Sequence, residues 1–227
     1  MSSPPAFRLL VGGTAPDDVA ALRAALAERL AQRSLLPPHG DRPAAATGTT
    51  DHREDGGGDT ARPLALLVPV GPDENPEQVR ADLAGRIAQV PPRADLVLRT
   101  SGSTTGTGRL IAMSAAALMA SARATHARLG GPGTWLLPLP AHHVAGLQIL
   151  IRSLIAGTTP VVVDTSRGFS PTTLADALRS VRVPAGAAAG AAVGTAAGAA
   201  VSPTAGSTDP RLYVSLVPTQ LVRVLRD

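Results

Sequence analysis

Apolar positions along the chain switch between two periods, and the switches mark out short strands and amphipathic helices. Phe7 to Val11 is an apolar run of strand length, and from Thr14 onward Val19, Leu22, Leu26 and Leu30 recur on one helical face. Thr14 reads as the cap of that helix, with Asp17 and Asp18 in the first turn, where acids meet the positive end of the helix dipole. The apolar pattern resumes at Leu64 and runs to Val70. Asn75-Pro76-Glu77-Gln78 then has the form of an N-cap, a proline at the first helical position and a capping box; Val79, Leu83 and Ile87 share one face, and Pro91-Pro92 close the element.

Leu96 to Leu98 is apolar again, and a second apolar run, Leu110 to Met113, follows a stretch of small residues. Ser114 caps a third helix with Leu118, Ala122 and Leu129 facing inward, stopped at Gly130-Gly131. Next come a strand from Trp135 to Leu139, a helix from Val144 to Ala156 with Gly157 past its end, and a β-branched strand from Val161 to Val163. Ser170-Pro171 opens another helix through Leu174 and Leu178, and a last strand, Leu212 to Val217, leads into a helix from Thr219 to Leu225. Strands alternating with helices predict an α/β fold with a largely parallel sheet.

Two stretches carry neither period. Residues 37–63 are rich in Gly, Ala, Thr, Asp and Pro and read as a disordered or long surface loop, so His39 and His52 within it are solvated side chains rather than metal ligands. Residues 184–208 are almost wholly Ala, Gly, Val, Ser and Thr, with glycines at 186, 190, 194 and 198. That ladder has the spacing of a membrane-helix packing face, but without Leu, Ile or Phe nothing drives insertion, and a low-complexity surface insertion is expected. The chain thus divides into a strand–helix segment (1–36), the loop (37–63) and a main domain (64–227) interrupted at 184–208.

Composition narrows the chemistry. Aromatic residues make up 2% of the 227, so the core has to be aliphatic. Cysteine is absent, which excludes disulfides, a thiol nucleophile and cysteine-based metal sites. All 21 basic residues are arginine, yet with 17 acids the net charge is only +4 and no arginine run forms, so nucleic acid is not an expected partner. No basic region followed by an apolar core is read at the N-terminus, and a cytoplasmic, non-membrane-spanning protein is expected.

The chemistry concentrates in the stretch after Leu98. Thr100 is followed by Ser101, Gly102, Ser103, Thr104, Thr105, Gly106, Thr107 and Gly108, and Arg109 stands at the exit. So little side-chain bulk lets backbone N–H groups approach an anion, with hydroxyls beside them and a cation next door. This is not a Walker A loop, because the Gly-Lys-Ser/Thr ending is missing and a strand rather than a helix follows. A second candidate is the pair His142 and His143, placed after a strand and before a helix, where α/β sites form. His126, Trp135 and Arg152 read respectively as a surface residue, a packing residue and a solvated arginine.

The loop resembles the signature of adenylate-forming enzymes, the superfamily of acyl-CoA synthetases, luciferases and peptide-synthetase adenylation domains. Thr100, Ser101, Gly102, Ser103 and Thr104 match it, and Gly106 matches if Thr105 is a one-residue insertion; Gly108 stands where proline is usual and Arg109 where lysine is usual. Trp135-Leu-Leu-Pro-Leu-Pro-Ala-His-His-Val-Ala-Gly-Leu-Gln148 and Ser215-Leu-Val-Pro-Thr-Gln-Leu221 resemble two later family segments. Together they are most similar to the CoA ligases that act on o-succinylbenzoate in menaquinone biosynthesis.

That resemblance implies an incomplete, layered αβα part of the large N-terminal domain of these enzymes. It implies ATP, Mg²⁺ and CoA as cofactors and co-substrates, with Thr100 to Arg109 on the ATP phosphates and His142, His143, Gly146 and Thr219 at the acyl and CoA pocket. His143 is the one catalytic candidate, and no residue is expected to bind metal directly. Family members also carry a Tyr-Gly-x-Thr-Glu motif and a catalytic lysine, and neither occurs in these 227 residues. A truncated protein of doubtful activity alone is therefore expected. The alternatives are another acyl-CoA synthetase of the same family, or a non-catalytic nucleotide- or partner-binding fragment; association as a homodimer or with a complementing chain is expected of the protein in general.

Overall fold

The computed structural model describes residues 5–35, 64–100, 108–181 and 211–226. The expected surface loop, most of the Ser/Thr/Gly stretch (Ser101–Thr107) and the Ala/Gly insertion lie outside the described residues. In chain order the elements are β1 (Phe7–Val11), α1 (Pro16–Leu35), β2 (Leu66–Val70), α2 (Pro76–Ala84), β3 (Leu96–Arg99), β4 (Leu110–Met113), α3 (Ala115–Arg128), β5 (Thr134–Leu137), α4 (Val144–Ala156), β6 (Val161–Val162), α5 (Pro171–Val181), β7 (Leu212–Val214) and α6 (Pro218–Val224). The α/β class follows from this alternation.

The strands form two sheets where one was expected. The first has the order β1-β2-β3-β4, parallel from β1 to β3, with β4 returning antiparallel in register Leu96↔Met113 to Arg99↔Leu110. The second has the order β6-β5-β7 and is parallel throughout. Three helices, α1, α3 and α4, lie between them in one aliphatic cluster that includes Leu22, Leu26, Leu98, Leu118, Leu137 and Leu147. The outer face of the first sheet is covered by α2 through Val79 and Leu83, and that of the second by α5 and α6 through Leu174 and Val224. A central strand covered on both faces must be apolar without alternation, and β2 is buried at all five positions. Each fully buried leucine in such a layer is worth about 1.5–3 kcal/mol of transfer energy.

Local signals set the helix ends. Asn75 accepts from the N–H groups of Glu77 (2.8 Å) and Gln78 (3.3 Å), and Ser114 accepts from Ala117 N–H at 3.2 Å. Gly157 closes α4 in the left-handed conformation at φ 68°, which a glycine adopts without a Cβ penalty. Three expectations are corrected. Leu129 is 44% exposed, because α3 ends one residue before it. His126 is buried rather than on the surface, since its side of α3 packs against α4. Thr14 does not cap α1; its hydroxyl reaches across to Asp164 (3.4 Å) and accepts from Thr165 N–H (3.3 Å). No helix among the described residues is long and apolar enough to cross a membrane.

One buried carboxylate ties the first sheet to the central layer. Asp95, 2% exposed, accepts from Arg33 Nε at 2.6 Å, Arg29 Nη1 at 3.3 Å and Ala115 N–H at 2.8 Å, so α1 and the start of α3 converge on the residue before β3. Arg29 is itself buried and also donates to the carbonyls of Asp95 and Ala65. Removing one member of such a group leaves an uncompensated buried charge. Asp95→Ala is therefore expected to lower the unfolding free energy by about 3–5 kcal/mol. Urea denaturation measures it, and a loss below about 1 kcal/mol, the value of an exposed pair, would contradict this account of the packing.

Candidate functional site

The parallel strands β1, β2 and β3 end side by side, and the chain leaves them at Gly12-Gly13, Gly71-Pro72 and Arg99-Thr100. In an open α/β sheet this edge is where ligands bind. Leu67 N–H donates to Asp95 O at 2.9 Å; two residues on, Pro69 has no N–H to make the next rung toward β3, and it lines the cleft that opens there. The cleft holds about 870 Å³, a volume suited to a nucleotide-sized ligand.

A segment from the second sheet forms the opposite wall. After β5 the chain returns to the end of β1: Ala141 N–H donates to Gly13 O at 2.9 Å and His142 N–H to Gly12 O at 3.1 Å. The His142 ring adds a bond from Nδ1 to the same Gly12 carbonyl, which as an acceptor requires the proton on Nδ1. Gly12 has to be glycine, since a Cβ there would stand 2.8 Å from Leu22 Cδ2 and 3.0 Å from His142 N. His143 lies beside His142, ring centroids 4.2 Å apart, exposed to the cleft at the N-terminus of α4.

Of the residues singled out in the sequence, Thr100, Gly108, His142 and His143 line this one cleft although they come from separate segments. Thr100 and Arg109 bond each other across the base of the β3–β4 hairpin, N–H to carbonyl and N–H to hydroxyl, both at 2.9 Å. Arg109 is exposed beside Gly108 without lining the cleft. Gly146 and Thr219 stand apart from it. A Cβ on Gly146 would lie 2.3 Å from Pro140 O, so this glycine lets α4 pack against the preceding turn. Thr219 is exposed on α6, and its neighbour Gln220 is the buried one, donating to Pro138 O at 3.1 Å. Trp135 packs against Tyr213 (4.9 Å), with Arg152 over its ring at 5.0 Å in place of the solvated position expected for that arginine.

The rest of the lining was missed in the sequence. Gly13 and Thr14 had a legible signal, since with Gly12 they form a Gly-Gly pair and a hydroxyl between a strand and a helix. Glu74, Asp82, Arg86 and Arg99 had none, because their partners are set by tertiary packing. Burial is the largest influence on Glu74 and raises its pKa, but the bond from Gly71 N–H (2.6 Å) and the contact with Arg99 together hold it below 4.5. Burial first, and then the neighbouring His143, hold His142 below 6.5. The first turn of α4 carries no acid, unlike those of α1 and α2. Among the described residues no group of three or more His, Asp or Glu side chains is placed to hold a metal ion.

No family model matches the chain. Over 84 residues, 37% of this chain and 22% of the relative, it is 54% identical to a "Probable 2-succinylbenzoate--CoA ligase" of Mycobacterium tuberculosis, with the same figures in strains CDC 1551 and H37Rv. The match thus spans about a fifth of that relative's length. An o-succinylbenzoate CoA synthetase of Bacillus subtilis in complex with its acyl-adenylate intermediate aligns with 72% of this chain and 45% of its own, at 16% identity and TM-score 0.48. The same enzyme in complex with AMP aligns with 38% of this chain and 18% of its own, at 28% identity and TM-score 0.34. Neither structural likeness is close enough to bear on the site. The resemblance read from the motifs is borne out over the 84-residue stretch, while the expected homodimer finds no support in these relatives.

A pH dependence follows from the two depressed histidines. His142, and His126 through burial and the nearby Arg152, both favour the neutral form in the folded state. Below the ordinary value of 6.5 the unfolded chain binds more protons, so their contribution is complete above 6.5 and is lost as the pH falls. Unfolding free energy measured between about pH 7.5 and 5 is expected to decline on acidification. His142→Asn, which keeps a donor near Nδ1 and removes the titration, should flatten the decline; stability that rises on acidification would contradict it.

Proposed function

We propose that the chain binds ATP and an aromatic keto-carboxylate of the o-succinylbenzoate type as part of an acid–CoA ligase that works through an acyl-adenylate. The observation that carries this reading is the 54% identity over 84 residues to a relative named as such a ligase. The geometry supports it, since the ends of the Ser/Thr/Gly stretch and the histidine pair line one cleft at the carboxyl ends of parallel strands.

The reaction has two displacements. A carboxylate oxygen of the acid attacks the α-phosphorus of ATP, and the bond to pyrophosphate breaks. The CoA thiolate then attacks the acyl carbon, the bond to AMP breaks, and the thiol proton passes to solvent. In this reading Thr100 to Gly108 wrap the β- and γ-phosphates with backbone N–H groups and hydroxyls, and Arg109 offsets charge at their edge. His143 and the acid-free N-terminus of α4 face the substrate carboxylate, and His142 holds the wall in place through Gly12. Mg²⁺ bound as MgATP would supply charge neutralisation at the phosphates. With ATP and CoA as substrates, the reaction belongs to the cytoplasm.

A second reading, binding without turnover, is favoured by one observation. At the exit of the Ser/Thr/Gly stretch Arg109 stands where lysine is usual in the family signature. Purified chain is expected to bind MgATP saturably, and Gly102→Val, which adds bulk to the Ser/Thr/Gly stretch, to abolish binding. His143→Ala should leave ATP affinity intact and weaken the response to o-succinylbenzoate. Substrate-dependent ATP–pyrophosphate exchange above the Gly102→Val background would overturn the binding-only reading. Absence of saturable MgATP binding would overturn both.

A further inference from the structure

Along one wall of the cleft runs a continuous row of charged contacts that none of the motifs contains. Gly71 N–H donates to Glu74 at 2.6 Å, and Glu74 accepts from Arg99. Arg99 Nη1 lies 4.0 Å from Asp82 Oδ2, and both Asp82 oxygens accept from Arg86 Nη1 at 3.0 Å. Arg86 ends the row by donating through Nη2 to the carbonyl of Gly108. All of these residues line the cleft.

Two arginines and two acids cancel, so the row adds no net charge to draw an anion in. What it has is position. Arg99 is the last residue of β3 and precedes Thr100, and Gly108 precedes Arg109; Thr100 and Arg109 are the pair bonded across the hairpin base. The row therefore fixes both sides of the hairpin mouth to α2 and to the turn after β2. We propose that Arg86 and Asp82 are positioning residues for phosphate binding in the cleft, holding Gly108 and Arg99 in place without touching the bound anion. This rests on the reading of the cleft as an ATP site.

The rival role is direct attraction of the phosphates by Arg86, and the two differ in sign at Asp82. Removing a carboxylate beside an anion site by its charge alone tightens binding. Removing the member that holds Arg86 in place weakens it. Calorimetric titration of the full chain with MgATP, using Arg86→Met, Asp82→Asn and the double variant, separates them. The proposal expects each single change to weaken binding about tenfold, the scale of one lost charge-assisted hydrogen bond. The double variant should be no weaker than either single one, because both act through the same bond. Arg86→Lys should not rescue, since an ammonium keeps the charge but cannot present the planar fork that spans Asp82 and Gly108. Tighter binding in Asp82→Asn, or full affinity in Arg86→Lys, would overturn the proposal.

A second readout needs no nucleotide. Amide exchange at Thr100 and Arg109 should accelerate about tenfold in Arg86→Met, the scale of one lost hydrogen bond, while amides of β2 keep their wild-type rates. Unchanged exchange at those two amides overturns the anchoring. If the wild-type chain binds no MgATP, the ATP reading fails, the phosphate-positioning role falls with it, and the exchange result alone decides whether the row anchors the hairpin.

Discussion

The cleft exists because two backbone hydrogen bonds join the end of β1 to the segment after β5. Gly13 and Gly12 carbonyls accept from Ala141 and His142, and these bonds bring the second sheet's return segment against the first sheet's strand ends. The contact is possible only with a hydrogen in place of a side chain at residue 12, where any Cβ would meet Leu22 and the His142 backbone. The same contact gives the His142 ring its acceptor, buries it halfway, and leaves His143 on the cleft side. The wall that His142 and His143 form depends on that approach, and α1, α3 and α4 share the central layer between the sheets.

Electrostatics in the cleft divide into paired and unpaired charge. Glu74, Asp82, Arg86 and Arg99 pair with one another and shape the wall, although Arg99 Nε is buried without a hydrogen-bond partner. The start of α4, beside His143, is a positive element at the cleft, whereas Arg109 stands at the hairpin base outside it and the acids Asp18 and Asp73 line it.

Elements governed by neighbours in sequence are legible in the residues alone. Asn75-Pro76 and Ser114 set helix starts, and Val144 to Ala156 with Gly157 set a whole helix, because caps and periodicity act within a turn or two. Features governed by distant partners are not. Asp95 looks like a loop acid until Arg29 and Arg33, more than sixty positions earlier, fold onto it. His126 and Leu129 exchange their expected exposures because a turn in phase along α3 is decided by α4, not by α3 itself. The division into two sheets is hidden for the same reason, since periodicity gives strands and not their neighbours. At the site, the Ser/Thr/Gly stretch and the histidines are visible as chemistry, whereas the row from Glu74 to Arg86 is ordinary surface charge until β3 and α2 come together.

The central claim is that segments far apart in sequence make one nucleotide site. Titrating isotopically labelled chain with MgATP and following backbone amide resonances tests it most directly. The account predicts that Gly12 to Thr14, Gly71 to Glu74, Thr100, Gly108 and His142-His143 shift together along one binding curve, with β6 and α5 unmoved. Shifts confined to a single segment, or following separate curves in different segments, would contradict it.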